Sequence, residues 1–339
     1  MNATISLSQN NTTLESIALF HHPALYALAL YALFLIIIGT IGNLLTIIIL
    51  FRPNLRKHAT MRYLIAVAVA DLCSLYSWNF NLFYKHLINP YQNDLEDASI
   101  VSCRFVSFFA FVSLQLSSWY LTLVSFDRCL NIHFLFWHRK FGQPKYVIFI
   151  LLFVTVVIVL INSHLLFLNG YKQSNCIPFE KRTCVVCYAR VNDPYYIFPK
   201  WEKIHVLIYN LIPFSIMFLS NCFIIRRSIL STLVRTSSLD TKQRLRRSYR
   251  QRKQRQLTYL LLIVTILFVL LTTPVMIYNV FLRNHLVSRK PLKYIVHGVL
   301  LSMQFTSHAI NFFVYCYGAS KFRLELNEFF TNSIRKRPQ

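Results

Sequence analysis

The chain has 339 residues, of which 55% are apolar, 15% aromatic and only 14% charged, and its mean hydropathy is +0.45. A soluble domain carries about 25% charged residues, so this composition excludes an ordinary soluble fold, and it also excludes disordered, collagen-like and disulfide-stapled chains. The formal net charge of +24 would suit a nucleic-acid-binding protein, so its distribution along the chain decides its meaning. The apolar excess indicates that the solvent is the lipid bilayer.

Seven uncharged or nearly uncharged apolar segments follow a polar N-terminal stretch. Each is at least about 20 residues long, enough for a helix to cross roughly 30 Å of hydrocarbon. Because backbone groups in lipid must be satisfied within the segment, the segments are predicted transmembrane helices, and the predicted fold is an all-α membrane protein with a seven-helix bundle. The segments are Ala24–Phe51, Tyr63–Tyr84, Phe105–Phe126, Tyr146–Tyr171, Ile204–Ile225, Gln256–Leu282 and Tyr294–Gly318.

Lysine and arginine are distributed unevenly between the two sides of these spans. With the N-terminus outside, 24 of the 36 fall on the inner side, and the first 23 residues contain none. The positive-inside rule therefore predicts an extracellular N-terminus and a multi-pass protein of the plasma membrane. Asn2, Asn10 and Asn11 begin glycosylation sequons that only the outer side could use.

Two segments on the inner side are predicted to contact membrane lipid. The dense basic tract 242–255 is expected to attract anionic lipid, with an acidic cytoplasmic partner as a sharper alternative and nucleic acid disfavoured. After Gly318, apolar residues recur at helical spacing from Phe322 to Phe330, which predicts a short amphipathic eighth helix. The predicted organisation is an N-tail over 1–23, a seven-transmembrane domain over 24–318, and the amphipathic helix and tail over 319–339.

Short motifs lie in the correct spans and order for one family. This set resembles rhodopsin-like (class A) G-protein-coupled receptors, most closely the neuropeptide type, over nearly the whole chain. Thr272, Phe312 and Asn221 depart from residues common in that family, which marks a divergent member. The motifs are Gly42-Asn43, Leu64 to Asp71, Cys103 followed by Asp127-Arg128-Cys129, Pro213, Phe268 with Pro274, and Asn311-Phe-Phe-Val-Tyr315.

The resemblance implies a receptor rather than an enzyme. An extracellular ligand would favour an open state in which Arg128, held by Asp127 at rest, contacts a heterotrimeric G protein. Arrestin is a second implied partner at the same side. The remaining residues of the implied activation switch are Phe268, Pro274, Asn311 and Tyr315.

Asp71 is the one acidic residue within the predicted spans. A carboxylate at bilayer depth is costly unless it is solvated or paired, so it is a functional candidate by default. One hypothesis is a protonated side chain that is hydrogen-bonded between helices. The resemblance implies another, an allosteric sodium site formed by Asp71, Ser117, Ser307 and Asn311, whose oxygens suit a hard cation. No other cofactor is expected.

Four cysteines fall on the predicted outer side: Cys103, Cys176, Cys184 and Cys187. They permit three pairings into two disulfides, and the residues alone do not select one. The resemblance implies a bond from Cys103 to the long outer loop 172–203. Cys187 is the predicted partner by its spacing to Pro213, with Cys184 close behind.

The ligand is predicted to be a peptide. Ala110 stands where amine receptors carry an aspartate and Phe305 where opsins carry a lysine, so both of those classes are disfavoured. The long outer loop is suited to a hairpin through Val185-Val186 and Tyr195-Tyr196, like the lid of neuropeptide receptors. A chemosensory receptor for small molecules is the alternative within the family.

Two other classes of membrane protein fit the sequence less well. A transporter or channel requires several intramembrane charges and repeated, broken helices, whereas no internal repeat occurs here. A membrane enzyme requires clustered histidines and carboxylates. The histidines are scattered, and His164, His297 and His308 have no intramembrane carboxylate near them in sequence.

Overall fold

The computed structural model describes residues 22–88, 94–134, 137, 140–173, 184–187, 197, 200–233, 241–282 and 290–335. Asn2, Asn10 and Asn11 lie outside this part of the chain, as do the side chains of the basic tract 242–255. The principal helices in the described part are α1 (Pro23–Leu50), α2 (Ala59–Ile88), α3 (Ile100–His133), α4 (Pro144–Leu168), α5 (Lys200–Arg227), α6 (Tyr259–Leu282), α7 (Lys290–Ala309), α8 (Asn311–Gly318) and α9 (Ser320–Arg335).

Several of these helices contain irregular turns or extend beyond their spans. Beyond the membrane-spanning range given above, the helix of α5 continues to Leu233. The helix of α6 likewise starts before its membrane-spanning range, at Thr241. Helices α2, α5 and α6 each contain one wide, π-type turn, at Tyr84–Ile88, Leu207–Leu211 and Tyr278–Leu282. Shorter elements are Pro53–Arg56 after α1 and the 3₁₀ turn Leu95–Ala98 before α3.

Helix starts follow the local sequence. Pro23 and Pro144 open α1 and α4, where the missing N–H of proline has no helical partner to lose. The side chain of Ser99 caps α3 by accepting a hydrogen bond from the backbone N–H of Ser102. The starts of α1 and α4 lie close to the predicted starts Ala24 and Tyr146, whereas α3 begins at Ile100, ahead of the predicted Phe105.

Six of the seven predicted spans are helices long and apolar enough to cross a bilayer. The seventh is divided: α7 ends at Ala309, α8 begins at Asn311, and Ile310 lies between them. Buried polar side chains, among them Gln304 and His308, reduce the apolarity of α7. The predicted uninterrupted span Tyr294–Gly318 is therefore corrected to two helices.

Helix α3 lies at the centre of the bundle and packs against α2, α4 and α5, while α1 packs against α2 and α7 and α6 packs against α7. We call the two ends of the bundle the Cys103 end and the Arg128 end, after residues near the two ends of α3. The predicted bundle is confirmed.

The amphipathic helix α9 packs against the Arg128 end. Phe322 is buried against Phe312 and Tyr315, with ring centroids 5.9 and 6.0 Å apart. On the same helix the buried Glu325 accepts a hydrogen bond from Asn54 and forms an ion pair of 3.0 Å with Arg52. Side-chain contacts thus join α9 to the turn after α1.

A short hairpin covers the Cys103 end. Strand β1 (Tyr171–Gln173) pairs antiparallel with β2 (Cys184–Val186), so Val185 lies opposite Lys172. The predicted partner segment at Tyr195-Tyr196 lies outside the described residues, and Val185-Val186 pairs with β1. The disulfide joins Cys103 to Cys187, as predicted, and anchors β2 to α3.

Gly170 makes the turn from α4 into the hairpin with a positive φ of 74°. A Cβ at this position would lie 2.7 Å from the Cys103 sulfur. Only glycine therefore fits between the disulfide and the strand without displacement.

Gly170→Ala is expected to lower the melting temperature, because a non-glycine residue at this φ costs about 1–3 kcal/mol and its methyl group would displace the disulfide. Gly298→Ala is the matched control, since its Cβ would meet only the flexible side chain of Leu28. Thermal unfolding of both purified variants by tryptophan fluorescence checks this. Equal melting temperatures for the two variants would contradict it.

Candidate functional site

A buried polar cluster at the middle of the bundle surrounds Asp71, whose side chain has no solvent exposure. One carboxylate oxygen, Oδ1, accepts hydrogen bonds from His308 Nδ1 at 2.7 Å and from the Ser117 hydroxyl. The other, Oδ2, accepts one from Asn311 Nδ2 at 2.6 Å. We call Asp71, Ser117, His308 and Asn311 the polar cluster. Three donors compensate the loss of water around the carboxylate.

Three of the four predicted sodium-site residues belong to the polar cluster. The fourth, Ser307, does not, because its hydroxyl donates to the backbone carbonyl of Gln304 at 2.7 Å. His308 takes part instead: its carboxylate partner is distant in the sequence but adjacent in the fold. The available signal was its position: His308 lies three residues before Asn311, which was already a predicted member of the site.

The polar cluster is connected to a second set of buried polar side chains toward the Cys103 end. His308 Nε2 lies 3.4 Å from the Tyr209 hydroxyl, which also accepts a hydrogen bond from Gln304 Nε2 at 3.1 Å. The Tyr209 ring meets Phe268, a predicted switch residue, edge to face at 5.7 Å. Tyr209 therefore touches the polar cluster and α6 together.

Toward the Cys103 end, the imidazole of His205 stacks on Tyr209 with ring centroids 5.1 Å apart. Its Nδ1 lies 3.0 Å from Gln115 Nε2, and Asn162 Nδ2 in turn donates to Gln115 Oε1 at 2.7 Å. These contacts join α3, α4 and α5. The buried His205 Nε2 has no hydrogen-bond partner within the described structure.

Aromatic side chains surround this imidazole. Phe111 contacts the rings of His205, Trp201 and Trp78 at 4.7, 6.3 and 5.0 Å, and His164 packs on Trp201 at 4.2 Å. We call Trp78, Phe111, His164, Trp201 and His205 the aromatic cluster. The buried Trp201 Nε1 also has no hydrogen-bond partner in the described part of the chain. Two polar groups of the aromatic cluster are thus buried among apolar rings without a hydrogen bond to the described chain.

Helices α5 and α6 are joined by hydrogen bonds one helical turn from Phe268. Asn210 Nδ2 donates to the hydroxyls of Thr272 at 3.1 Å and Thr273 at 3.4 Å. The Thr272 hydroxyl donates to the Phe268 carbonyl at 2.7 Å. Pro274 follows in the interior of the same helix. Thr272, where the family often carries an aromatic residue, thus serves as a polar link to α5.

At the Arg128 end, the buried Asp127 carboxylate accepts hydrogen bonds from Asn131 Nδ2 at 2.9 Å and Trp137 Nε1 at 3.3 Å. Trp137 lies between α3 and α4, and the sequence motif did not indicate its role. Arg128 Nε is buried without a hydrogen-bond partner in the described residues, as is the Tyr315 hydroxyl. The predicted switch residues therefore include two polar groups that form no hydrogen bond within the described part of the chain.

Three acidic residues lie between α2 and α3 at the Cys103 end. Asp94 forms an ion pair of 3.0 Å with Lys85, and the buried Glu96 accepts a hydrogen bond from Trp78 Nε1 at 2.6 Å. Burial, and secondarily the negative charge of Asp94, raises the pKa of Asp97 from 3.8 to about 6. The pKa of Asp97 is therefore closer to physiological pH than that of an ordinary carboxyl group.

Asp97→Asn is expected to raise the melting temperature near pH 7.5 and to have little effect below pH 3.8. Because the pKa of Asp97 in the folded state lies above its unfolded value, protonated Asp97 favours the fold below pH 3.8, and this stabilisation is lost as the pH rises through about 6. Melting curves of both proteins across this pH range check the prediction. A difference in melting temperature that does not change with pH would contradict it.

Comparison with known proteins places these features in a family. A sequence model described as 7 transmembrane receptor (rhodopsin family) matches residues 42–315, from within α1 to within α8. C-C chemokine receptor type 1 of Macaca fascicularis is 23% identical over 92% of this chain and 80% of the relative. Galanin receptor type 2 of Rattus norvegicus is 23% identical over 100% of this chain and 85% of the relative. Cysteinyl leukotriene receptor 1 of Cavia porcellus is 27% identical over 51% and 48%.

The family match spans the polar cluster, the Cys103–Cys187 disulfide and Asp127-Arg128. It confirms the resemblance inferred from the sequence motifs, and with the apolar helices it identifies a multi-pass membrane protein. The family consists of receptors, so the expectation that the chain is not an enzyme is also confirmed. The chain belongs to the rhodopsin family of seven-transmembrane receptors.

Proposed function

We propose that this receptor binds a peptide at its Cys103 end, outside the cell, and activates a heterotrimeric G protein at its Arg128 end. The observation that carries the proposal is the line of buried contacts from His205 through Tyr209 and His308 to Asp71. It begins in the aromatic cluster and ends beside Asn311, in the helix that also carries Tyr315. The plasma membrane, with the N-terminus outside, is the proposed location.

Two arguments support a peptide ligand. Two of the relatives are named as receptors for C-C chemokines and for galanin, which are peptides. The hairpin, held over the Cys103 end by the disulfide, provides backbone and side-chain surface that an extended ligand could contact. The relative named as a leukotriene receptor favours the alternative, a small ligand confined to the aromatic cluster.

Activation is a shift between two states of the bundle. A ligand group that contacts His205 or Trp201 acts on the stacked Tyr209 ring, which packs on Phe268 of α6. A ligand can shift this equilibrium only by its difference in affinity between the two states. Pro274, which removes one helix hydrogen bond, gives α6 a site at which it can bend.

At the Arg128 end, the hydrogen bonds of Asp127 hold the resting state. Asn131 and Trp137 occupy the carboxylate, so an active state must exchange these contacts while Arg128 turns toward the G protein. A planar, permanently charged guanidinium suits such alternate partners. We propose arrestin as a second partner at the same end. Anionic lipid is the proposed partner of the basic tract 242–255.

Trp137→Phe is expected to raise basal G-protein activation. The substitution removes a hydrogen bond to a charged group worth about 1.5 kcal/mol, which corresponds to roughly a tenfold shift between the two states. Dissociation of a luminescently tagged heterotrimer in cells at matched surface expression measures the change. Phe141→Leu is the control, because Phe141 stacks on Trp137 without bonding Asp127. Equal basal signals from both variants would contradict the proposal that the Trp137–Asp127 hydrogen bond holds the resting state.

A screen of peptide libraries against cells expressing the receptor tests the ligand class, with heterotrimer dissociation as the readout. We expect a peptide to give a saturable signal that Arg128→Ala abolishes while surface expression and peptide binding persist. Activation by small lipids or odorants alone would replace the peptide proposal. A signal that survives Arg128→Ala would instead refute the proposed coupling site.

The proposed orientation predicts that an N-terminal epitope tag is labelled on intact cells. Replacing Asn2, Asn10 and Asn11 together by glutamine is expected to remove the mass that a glycosidase removes from the unaltered receptor. Electrophoresis of tagged protein before and after glycosidase treatment measures this. A tag that antibodies reach only after permeabilisation would overturn the orientation.

A further inference from the structure

The Asp71 site can be tested for its fit to the sodium ion that the resemblance implies. A hard cation requires several oxygen ligands with lone pairs directed at one point. In the polar cluster, both Asp71 carboxylate oxygens already accept hydrogen bonds, one of them from the Ser117 hydroxyl. Asn311 presents its amide nitrogen to Asp71, and Ser307 bonds Gln304. These residues meet as donors around a carboxylate and do not fit a sodium ion.

His308 is the side chain that alters the site. Its Nδ1 lies 2.7 Å from Asp71 Oδ1 and 3.3 Å from the Ser117 hydroxyl, within the space between two of the oxygens that a cation would need. The side chain is only 1% exposed, and its Nε2 faces Tyr209 at 3.4 Å. Both nitrogens of the imidazole therefore have a polar neighbour. The backbone carbonyl of His308 also accepts a hydrogen bond from Asn43 Nδ2 at 3.1 Å.

Compensation of the buried carboxylate is the physical role that an ion would have here. A carboxylate inside the membrane persists where it is paired with a hydrogen-bond donor or with a cation. Here the chain supplies the compensating group itself, from α7, together with Ser117 of α3 and Asn311 of α8. A covalently attached donor is always present at the site, whereas an ion would bind in proportion to its concentration.

We propose that the imidazole of His308 occupies the cation position beside Asp71, so that this receptor takes up no sodium there and does not respond to sodium. The proposal replaces the sodium site expected from Asp71, Ser117, Ser307 and Asn311 by a closed, hydrogen-bonded cluster. It does not rest on the proposed peptide or G protein, because sodium itself is the probe.

The test uses the purified full-length receptor in detergent. Melting temperatures are measured while sodium chloride replaces choline chloride at constant ionic strength, and binding of radioactive sodium is measured on the same protein. For the unaltered receptor we expect no change in melting temperature and no saturable sodium binding. A saturable rise that choline and potassium do not produce, and that Asp71→Asn removes, would overturn the proposal.

His308→Ser provides the opposite expectation, since it removes the imidazole and leaves a hydroxyl beside Asp71. This variant is expected to melt at a lower temperature in choline chloride and to gain a saturable, sodium-specific rise in melting temperature, which Asp71→Asn then abolishes. His297→Ser is the matched control: it replaces a histidine of the same helix that packs near Tyr278, away from Asp71, and should gain no sodium response.

If the His308→Ser receptor folds but does not respond to sodium, the proposal that the imidazole excludes sodium is wrong. If that variant does not fold, His308→Asn is used in its place, because an amide also leaves an oxygen ligand near Asp71. The sodium measurements on the unaltered receptor decide the central statement independently of either variant.

Discussion

A carboxylate with no contact to solvent can persist inside an apolar bundle only if hydrogen-bond donors surround it. In this receptor Asp71 of α2 imposes that condition on three other helices. Ser117 of α3, His308 of α7 and Asn311 of α8 each place a donor within hydrogen-bond distance of its oxygens. Because an unpaired partner would cost several kcal/mol, this requirement constrains the relative positions of these helices at mid-bundle.

The polar cluster also lies at the division of the seventh span. The end of a helix leaves its last carbonyl groups without partners, and at the end of α7 the side chain of Asn43 donates to the His308 carbonyl. The break lets α8 begin with Asn311, whose amide reaches the second oxygen of Asp71. A polar side chain of α1 and a polar side chain of α8 thus form hydrogen bonds on the two sides of the interruption.

The extent to which the structure follows from the sequence differs between the lipid-facing and the polar parts. The spans were predictable because lipid requires long apolar helices. Asp71, Ser117 and Asn311 were predictable because their positions relative to the motifs are regular. His308 was missed because its carboxylate partner lies 237 residues away in the chain, and a search for local neighbours cannot find such a pair. Trp137 was missed for a related reason, since the path of the chain between α3 and α4, and not a motif, brings its indole to Asp127.

The hydrogen bonds from Asn210 to Thr272 and Thr273 have a mechanical consequence. They connect α5 and α6 at a level between the aromatic cluster and the long extension of α6 that begins at Thr241. Pro274, where α6 can bend, lies on the ligand side of this connection, whereas the helix between Thr241 and Thr272 contains no proline. The long segment toward the Arg128 end can therefore move as one body, and a small change of angle near Thr272 displaces its far end by a larger distance.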